Sequence, residues 1–280
     1  MKNFTCSIVK AAGIAMACWL LPSLGWASVE VNGVYYDLDE ADQTAVVVAN
    51  PDKYVGTVNI PGDITVDGKT YLVTAIADCA FIDNYDLEQV YMESSNLTKI
   101  GFSAFERCYS LNSVTLPEGL KFFNYEAFKD CRSLERVQLP STLEHIGGRS
   151  FMNCVSLTKI NVPESAAYLG NKWLYDCPLI VLVADSQEPL KLKEDPFEGL
   201  DKDACILSVP EGCKEAYQAA KVWKDFLIFE NYDEGGTTAI ESISDQSPVS
   251  RQIFDLQGRR LNNASRHSII IENGRKRIEW

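Results

Sequence analysis

Histidine and basic residues are both scarce in this chain. The two histidines, His145 and His267, lie far apart in the sequence, and no spacing predicts that they meet. A nucleophile and its general base must converge on one point, so we do not expect a histidine-dependent enzyme. Lysine and arginine together number 26 against 39 acidic residues, which gives a formal net charge of −13. Phosphate binding needs a basic surface, so nucleic acid is excluded as the main partner.

Long apolar runs, phosphate-binding glycine motifs and calcium loops are missing beyond residue 27. A membrane-spanning helix needs about 20 apolar residues, so we expect no transmembrane segment there. The acidic run Asp39-Glu40-Ala41-Asp42 does not match a calcium loop. No pair of acidic residues stands out by its spacing as a glycosidase dyad. We therefore predict a protein that is not an enzyme and that uses neither a metal nor a cofactor.

The N-terminus has the pattern of a secretory signal. Two lysines supply positive charge, residues 11–24 are almost wholly apolar, and Gly25 and Ala27 place small residues at a cleavage site. This pattern predicts a signal peptide over residues 1–27 and export of the rest to the extracellular or outer-membrane surface. Two alternatives stay open, namely retention in the periplasm and processing as a lipoprotein at Cys18.

A repeat of 23 residues dominates the sequence. Five large apolar residues mark it at intervals of 23, and Phe81 precedes the first of them by 24. The five are Phe105, Phe128, Phe151, Leu174 and Phe197. A fixed period in the range of about 20–50 residues indicates a stacked-repeat architecture.

The three repeats that begin at Phe105, Phe128 and Phe151 carry the same pattern in full, counted here from the leading Phe as position 0. Cysteine falls at +3, Leu at +6, Val or Ile at +9, Leu or Val at +11, and Pro at +12. Alternation at +9 and +11 predicts a strand with those side chains inward, and a proline at +12 ends it. Another apolar residue lies at +18. In the fifth repeat Leu174 replaces Phe, and we expect Asp185 at +11.

The pattern predicts an α/β repeat solenoid that is rich in β structure. Neighbouring strands are expected to pair in parallel, and the segment from 0 to +3 is expected to form one helical or 3-10 turn. Residues 28–75 are predicted to be a β-rich N-terminal cap. Residues 76–230 hold the repeats and a C-terminal capping unit with a helix at Lys214–Trp223, where Trp223 and Phe226 close the core.

The last 50 residues differ in composition. Residues 231–248 are rich in Gly, Ser and Thr and are predicted to be a flexible linker. Residues 249–280 contain seven Arg or Lys against three acidic residues. A strand at Gln252–Leu256 and a hairpin at Asn273-Gly274 predict a small C-terminal β module. Some 30 residues bury too little surface to fold alone, so we expect this module to dock on another surface.

The repeats resemble a known family. The pattern Ala-Phe-x-x-Cys-x-x-Leu-x-x-Val-x-Leu-Pro-x-x-Leu-x-x-Ile-Gly is carried best by residues 104–124, 127–147 and 150–170. It is similar to the BspA-type leucine-rich repeat of surface proteins in anaerobic gut and oral bacteria, and Val209–Phe226 is similar to that family's closing unit. The resemblance implies a leucine-rich repeat fold and an adhesion role in which the sheet binds a host matrix or cell-surface protein.

The C-terminal tail resembles a second family. Ile253–Leu261, together with Asn273-Gly274-Arg275-Lys276, is similar to the C-terminal sorting domain of type IX secretion substrates. This resemblance implies that the secretion machinery is a partner of the tail. A docked β-hairpin without an address function is the alternative.

The cysteines recur with the repeat and could suggest a metal site. Zinc needs four ligands that converge on one point, whereas the stacked residues Cys108, Cys131, Cys154 and Cys177 would form a row with parallel side chains. We therefore interpret this row as buried packing. Cys205 and Cys213 are a separate case, because they lie eight residues apart in an exported chain and form a candidate disulfide.

Positions +8 and +10 should face away from the core, because side chains alternate along a strand. They predict two rows of polar and long side chains on the exposed sheet, which suits an extended partner. The first row is Gln89, Ser113, Arg136 and Lys159, and the second is Tyr91, Thr115, Gln138 and Asn161. A host protein is the expected ligand. One alternative is a glycan-binding accessory protein of polysaccharide capture, but such a protein would need several exposed aromatic residues and the two rows offer only Tyr91. A second alternative is a purely structural surface scaffold.

Overall fold

The protein structure is a computed structural model that describes residues 28–93 and 95–232, together with the backbone of four strands in the C-terminal tail. The predicted signal peptide and nearly all of the predicted linker lie outside these residues. None of the described helices is long and apolar enough to cross a membrane.

The N-terminal part consists of strands and turns. Its strands are β1 (Val29–Val31), β2 (Val34–Asp39), β3 (Thr44–Val47), β4 (Gly56–Ile60), β5 (Asp63–Val66) and β6 (Lys69–Ile76). Strands β1, β2 and β3 pair antiparallel in order, and β5 pairs antiparallel with β6. Strand β3 then pairs in parallel with β6. The β-rich character predicted for residues 28–75 is confirmed.

The repeat region supplies two strands to most turns of the solenoid. Its strands are β7 (Leu87–Met92), β8 (Lys99–Ile100), β9 (Ser113–Thr115), β10 (Phe122–Phe123), β11 (Arg136–Val137), β12 (His145–Ile146), β13 (Lys159–Val162), β14 (Tyr168–Leu169), β15 (Val181–Ala184), β16 (Ile206–Val209) and β17 (Leu227–Glu230). The strands of successive repeats pair in parallel. The predicted parallel solenoid is thus confirmed.

These strands form two sheets on different sides of the solenoid. The first sheet contains the predicted strands, in two ladders ordered β4-β7-β9 and β11-β13-β15-β16-β17. The second sheet continues from β3 and β6 through β8, β10, β12 and β14. The last three strands lie at positions +17 and +18 of their repeats, and β8 lies one position later in the longer first repeat. This second sheet was not predicted. Its repeat strands have two residues each, which is too short for an alternating pattern.

The third side of the solenoid is a column of turns held together by backbone hydrogen bonds. Phe105 N donates to Ala127 O at 2.7 Å, and Phe128 N donates to Ser150 O at 2.7 Å. The predicted helical turn is absent from this described segment, because residues with positive φ interrupt it at −2 and +2. At +2 they are Asp83, Arg107, Asp130, Asn153 and Asp176, with φ of 57–62°. Asp and Asn favour this left-handed conformation.

The leading aromatic residues stack along the axis of the core. Ring centroids lie 4.6 Å apart between Phe81 and Phe105, 4.9 Å between Phe105 and Phe128, and 5.3 Å between Phe128 and Phe151, with interplanar angles of 11° or less. At the far end Trp223 and Phe226 contact Phe197 edge-on, with centroids 5.2 and 5.1 Å away. Both are buried, which confirms that they close the core.

The cysteine row is buried and hydrogen-bonded. Each thiol donates to the main-chain oxygen of the leading aromatic residue one repeat earlier, at 2.9–3.2 Å. The pairs are Cys108–Phe81, Cys131–Phe105, Cys154–Phe128 and Cys177–Phe151. The packing interpretation is confirmed. Because the cysteines recur at the repeat period, each of these turns also has a thiol hydrogen bond to the main chain of the preceding turn.

The fifth repeat is one residue shorter than predicted between its cysteine and its strand. Leu182 pairs with Ile160 and Ala184 pairs with Val162. Ala184 is buried and therefore takes the place of the +11 residue. The placement of Asp185 at this position was wrong, because Leu179 rather than Ile180 enters the core after Cys177.

The C-terminal cap contains one short helix, α1 (Lys214–Ala219), and a 3-10 helix at Trp223–Asp225. The helix is shorter than predicted, since Ala220 is already extended with ψ of 135°. In the tail the strands are β18 (Gln252–Asp255), β19 (Arg260–Leu261), β20 (Ser268–Glu272) and β21 (Arg275–Glu279). They form an antiparallel sheet in the order β19-β18-β20-β21. The predicted hairpin is confirmed by the pairing of Glu272 with Arg275.

Candidate binding surfaces

The outer side of the first sheet, called the first face, carries the two predicted rows. In strands β4, β7 and β9 the ladder aligns Thr57 with Gln89 and Gln89 with Ser113. The neighbouring row aligns Tyr91 with Thr115 in the same way. Both sets of residues are therefore in register over these strands, and both rows extend one strand further toward the N-terminus, through Thr57 and Asn59.

The side chains of this part form a small hydrogen-bonded cluster. The Tyr91 hydroxyl donates to Gln89 Oε1 at 3.1 Å, and the Thr57 hydroxyl donates to the same oxygen at 3.4 Å. Tyr91 is 36% exposed and Thr115 is also exposed, whereas Ser113 is half-buried. Tyr91 is held in place by Gln89, so its ring is presented to solvent in a defined orientation.

The rows change character at β11 and β13. Arg136 pairs with Lys159, and Arg136 and Gln138 are exposed. Asn161 was predicted to face a partner, but it is only 4% exposed. Its amide accepts a bond from Leu139 N at 2.7 Å and donates to Leu139 O at 3.1 Å. Backbone pairing between β11 and β13 ends at Val137, and the Asn161 side chain supplies the next two hydrogen bonds to the main chain of Leu139. It therefore stabilises the fold and does not face a ligand.

The first face is closed at its C-terminal end. Val181 and Ile206 follow Lys159 in its row, and they are 0% and 1% exposed although neither belongs to the continuous core. Ser208 is also buried, and its hydroxyl donates to Tyr232 O at 3.2 Å. The open part of the first face therefore runs over β4, β7, β9 and β11.

The outer side of the second sheet, called the second face, carries a row that the sequence interpretation missed. Position +17 holds Phe122, His145 and Tyr168 in register, and Lys99 precedes them at +18 of the longer first repeat. Phe122 and Tyr168 are 44% and 51% exposed. The His145 and Tyr168 rings stack with centroids 4.5 Å apart at 15°, and Phe122 lies 6.1 Å from His145. His145 thus faces outward, within an aromatic row.

A groove lies beside Tyr168. It has a volume of about 620 Å³, and Leu190–Pro196 forms one wall while residues 167–169 and Asn171 form the other. Leu192, the apolar +18 residue of the fifth repeat, is half-buried, packs against the core and also lines this groove. In the described residues the second sheet ends at β14, and this segment lies beside that strand.

The column of turns carries a chain of ion pairs. Arg107 contacts both oxygens of Asp83, at 2.5 and 2.9 Å, and Glu106 at 2.9 Å. Lys129 Nζ then joins Glu106 at 3.1 Å to Glu126 at 3.5 Å. The hydrogen bond from Arg107 lowers the pKa of Asp83 below its usual value. Each of these charged side chains has a partner of opposite charge, so this series of ion pairs is suited to joining turns and not to catalysis.

Nucleophilic or metal chemistry finds no support in the described residues. Burial raises the pKa of Cys108, Cys177 and Cys205 to about 12, so these thiols stay protonated and unreactive at neutral pH. No group of three or more His, Cys, Asp or Glu in the described part of the chain could hold a metal. Cys205 and Cys213 are both reduced in the structure, where their thiols contact nearby main-chain oxygens, Ile206 O and Glu211 O respectively; the Cys205–Cys213 disulfide stays a prediction.

Comparisons with known proteins agree with this architecture. Residues 72–200 match the family described as BspA type leucine-rich repeat region, in six copies. A leucine-rich repeat protein of T. pallidum is similar at 23% identity and a TM-score of 0.51, over 69% of this chain and 95% of that one. The pneumococcal vaccine antigen PcpA is similar at 15% identity and a TM-score of 0.57, over 74% of this chain and 48% of that one.

Both structural similarities lie below 25% identity and therefore establish the fold alone. Comparison with curated protein sequences gives no match.

Proposed function

We propose, from the premise that residues 72–200 match the BspA-type leucine-rich repeat region, that this chain is an exported, non-enzymatic adhesion protein of the cell surface. Its ligand is a host matrix or cell-surface protein, bound on the first face. The observation that carries the proposal is the register of exposed polar and aromatic side chains over β4, β7 and β9, with Tyr91 and Thr115 in one row, followed by exposed Arg136 and Gln138 at β11.

The shape of the first face favours an extended protein segment. Parallel strands lie about 4.8 Å apart, so the four open strands span roughly 15 Å across the sheet. Solenoids use such continuous faces to bind elongated partners. Tyr91 supplies an aromatic anchor, and Tyr and Arg are the residue types that dominate protein interfaces. Arg136 adds a basic group to a chain that is acidic overall.

The absence of converging catalytic groups among the described residues supports binding over catalysis. The buried thiols are protonated, and His145 lies among aromatic rings on the second face. Leucine-rich repeat proteins are in general binding scaffolds, which agrees with the family match.

Export and sorting form the second part of the proposal. Residues 1–27 act as the signal peptide, and the C-terminal module at 249–280 addresses the protein to the surface through the secretion machinery. Cells expressing the full-length chain and a chain that ends at residue 248 should differ in surface display, measured by fractionation and surface labelling. Equal display of the two forms would contradict the sorting role while leaving the binding role intact.

Binding of residues 28–280 to immobilised fibronectin, fibrinogen, laminin and collagen tests the adhesion proposal. We expect one of these proteins to bind, and Thr115→Arg to weaken that binding by about tenfold or more, because a bulky charge enters the centre of the interface. Thr65→Arg is the matched control, on an exposed strand of the cap away from this face, and it should bind within about twofold of the parent. Absence of binding to all four, or full binding by Thr115→Arg, would contradict the proposal.

One observation favours the glycan-binding alternative. Glycan binding requires exposed aromatic side chains, and although the predicted rows offer only Tyr91, the second face exposes Phe122 and Tyr168.

A further inference from the structure

The second face combines flat aromatic surfaces in a way that the first face does not. Phe122, His145 and Tyr168 follow one another on β10, β12 and β14, and the last two rings are nearly parallel. The His145 ring is also fixed by its Nδ1 atom, which lies 3.4 Å from Phe123 O. Lys121 and Glu144 form an ion pair of 3.4 Å along one side of the row. The exposed rings are thus arranged as a strip across three turns.

The aromatic strip leads into the groove at Tyr168, which is a lining residue of both. Apolar side chains of this groove include Leu169, Leu190 and Pro196. Polar side chains project from the same walls, namely Asn171, Lys191, Lys193 and Glu194. Among the described residues, none of these four side chains makes a hydrogen bond or an ion pair. The groove therefore offers an amide, two ammonium groups and a carboxylate next to an exposed aromatic ring.

We propose that the aromatic strip and the adjoining groove form a binding site for a neutral oligosaccharide, independent of the protein-binding first face. A pyranose ring has an apolar face of C–H groups and a rim of hydroxyls. The rings of Phe122, His145 and Tyr168 offer flat surfaces that can stack on the C–H face of the sugar, and the rings of His145 and Tyr168 also have a polar edge. The amide and charged groups of the groove can bond to the hydroxyls as donors and acceptors.

The size and charge of the groove select this ligand class. Its volume of about 620 Å³ is within the range of small-molecule sites and accommodates more than one sugar ring. Glu194 balances one of the two lysines, Lys191 and Lys193, while Asp195 is already paired with Lys202. The lining therefore has an excess of at most one positive charge, which gives little preference for an anionic ligand. An apolar peptide would use the rings but leave the polar groups of the groove without partners.

Titration of residues 28–280 with neutral hexasaccharides of β-1,4-glucose, α-1,4-glucose and β-1,4-mannose tests the site. We expect one of them to bind, measured by calorimetry, and to shift the proton resonances of the His145 ring. Tyr168→Ala should weaken binding by about tenfold or more, whereas Tyr168→Phe, which keeps the ring, should stay within about threefold. An anionic hexasaccharide of hyaluronan should bind more weakly than the best neutral one.

The matched control is Tyr85→Ala. Tyr85 is 49% exposed and stacks on Tyr109 with centroids 5.1 Å apart, but it lies on the column of turns. This variant should bind the sugar like the parent. Tyr168→Ala should also keep its affinity for any matrix protein that binds the first face, so the two proposals can fail separately. Failure of all three neutral hexasaccharides to bind, or unchanged sugar binding by Tyr168→Ala, would overturn the glycan site.

Discussion

The thiol of Cys131 donates a hydrogen bond to the main-chain oxygen of Phe105, which lies 3.2 Å away and one repeat earlier. The same oxygen accepts a bond from Cys108 N at 3.3 Å, so both of its lone pairs are used. Cysteine fits this position because it is small, apolar enough for the core, and still a donor. A row that looks like a metal or redox site is in fact a set of links between turns.

Replacement of Cys131 separates packing from hydrogen bonding. Cys131→Ala should lower the free energy of unfolding by about 1–2 kcal/mol, because it removes both buried volume and a donor. Cys131→Ser keeps a donor and should lose less. Urea unfolding of both variants, followed by circular dichroism, measures the difference. A serine variant that is less stable than the alanine variant would show that the thiol acts through packing alone.

Stability should decrease at alkaline pH. The pKa of the Cys108 and Cys177 thiols rises from 9.0 to about 12 on folding, because burial disfavours the thiolate. The unfolded chain therefore binds fewer protons than the folded chain between these values, and stability present below pH 9 is lost as the pH rises toward 12. Each such thiol lowers the free energy of unfolding by about 1.4 kcal/mol per pH unit in this window.

Urea midpoints at pH 8, 9 and 10 measure this slope. Cys131→Ser removes one buried thiol whose pKa is also raised, so its slope should be shallower than that of the parent. Identical slopes in the two proteins would rule out this origin of the alkaline sensitivity.

The ion pair of Asp83 and Arg107 should stabilise the fold at neutral pH and not in acid. The pKa of Asp83 is lowered by its hydrogen bond from Arg107, so this contribution is present above the unfolded pKa and is lost as the pH falls through the folded one. Both side chains are partly exposed, at 30% and 35%, which limits the effect of Arg107→Ala to about 1 kcal/mol at pH 7. At pH 2 the variant and the parent should have similar stability.

Arg132→Ala is the control for this experiment. The Arg132 side chain is 57% exposed, lies 3.7 Å from Asp130 and stacks over the Tyr109 ring, so its loss should cost about 0.5 kcal/mol at neutral pH. An effect of Arg107→Ala that is as large in acid as at pH 7 would mean that its methylene groups, and not its charge, stabilise the turn.

Gly170 should be among the least replaceable residues of the second sheet. A Cβ atom at this position would lie 2.1 Å from Gly148 N in the neighbouring turn, and neither backbone can move freely. Gly170→Ala should therefore cost about 3 kcal/mol or more. Gly33→Ala is a useful comparison, because its φ of +82° is unfavourable for alanine but its Cβ would meet nothing within 4 Å. It should cost about 1–2 kcal/mol, measured by thermal unfolding.

The sequence predicted the first sheet because most of its strands, with four to six residues each, are long enough to show alternation. Val114 and its equivalents at +9 face inward as expected, and the rows through Gln89 and Tyr91 follow from the same rule. Strand β10 consists of Phe122 and Phe123 alone. The apolar residue that recurs at +18 indicates that Phe123 is the buried ring, but two residues show no alternation that would predict a strand here or a row of side chains at +17. The aromatic strip became visible only when parallel pairing placed Phe122, His145 and Tyr168 in one row.

Two other differences depend on contacts between repeats. Alternation correctly places Asn161 on the outer side of β13, but its burial depends on bonds to the main chain of Leu139, where the neighbouring ladder has ended. The shorter fifth repeat depends on whether Leu179 or Ile180 enters the core. Both side chains are apolar, and only the pairing of Ala184 with Val162 decides between them.

The column of turns bears on how the length of this protein can change in evolution. Phe128 N bonds to Ser150 O in the same way that Phe105 N bonds to Ala127 O, so a segment such as 128–150 begins and ends at equivalent atoms. Recombination that deletes or duplicates a whole segment of this kind would rejoin matching donors and acceptors. Each event would shift the far cap by one strand spacing, about 4.8 Å, and would lengthen or shorten both outer faces together.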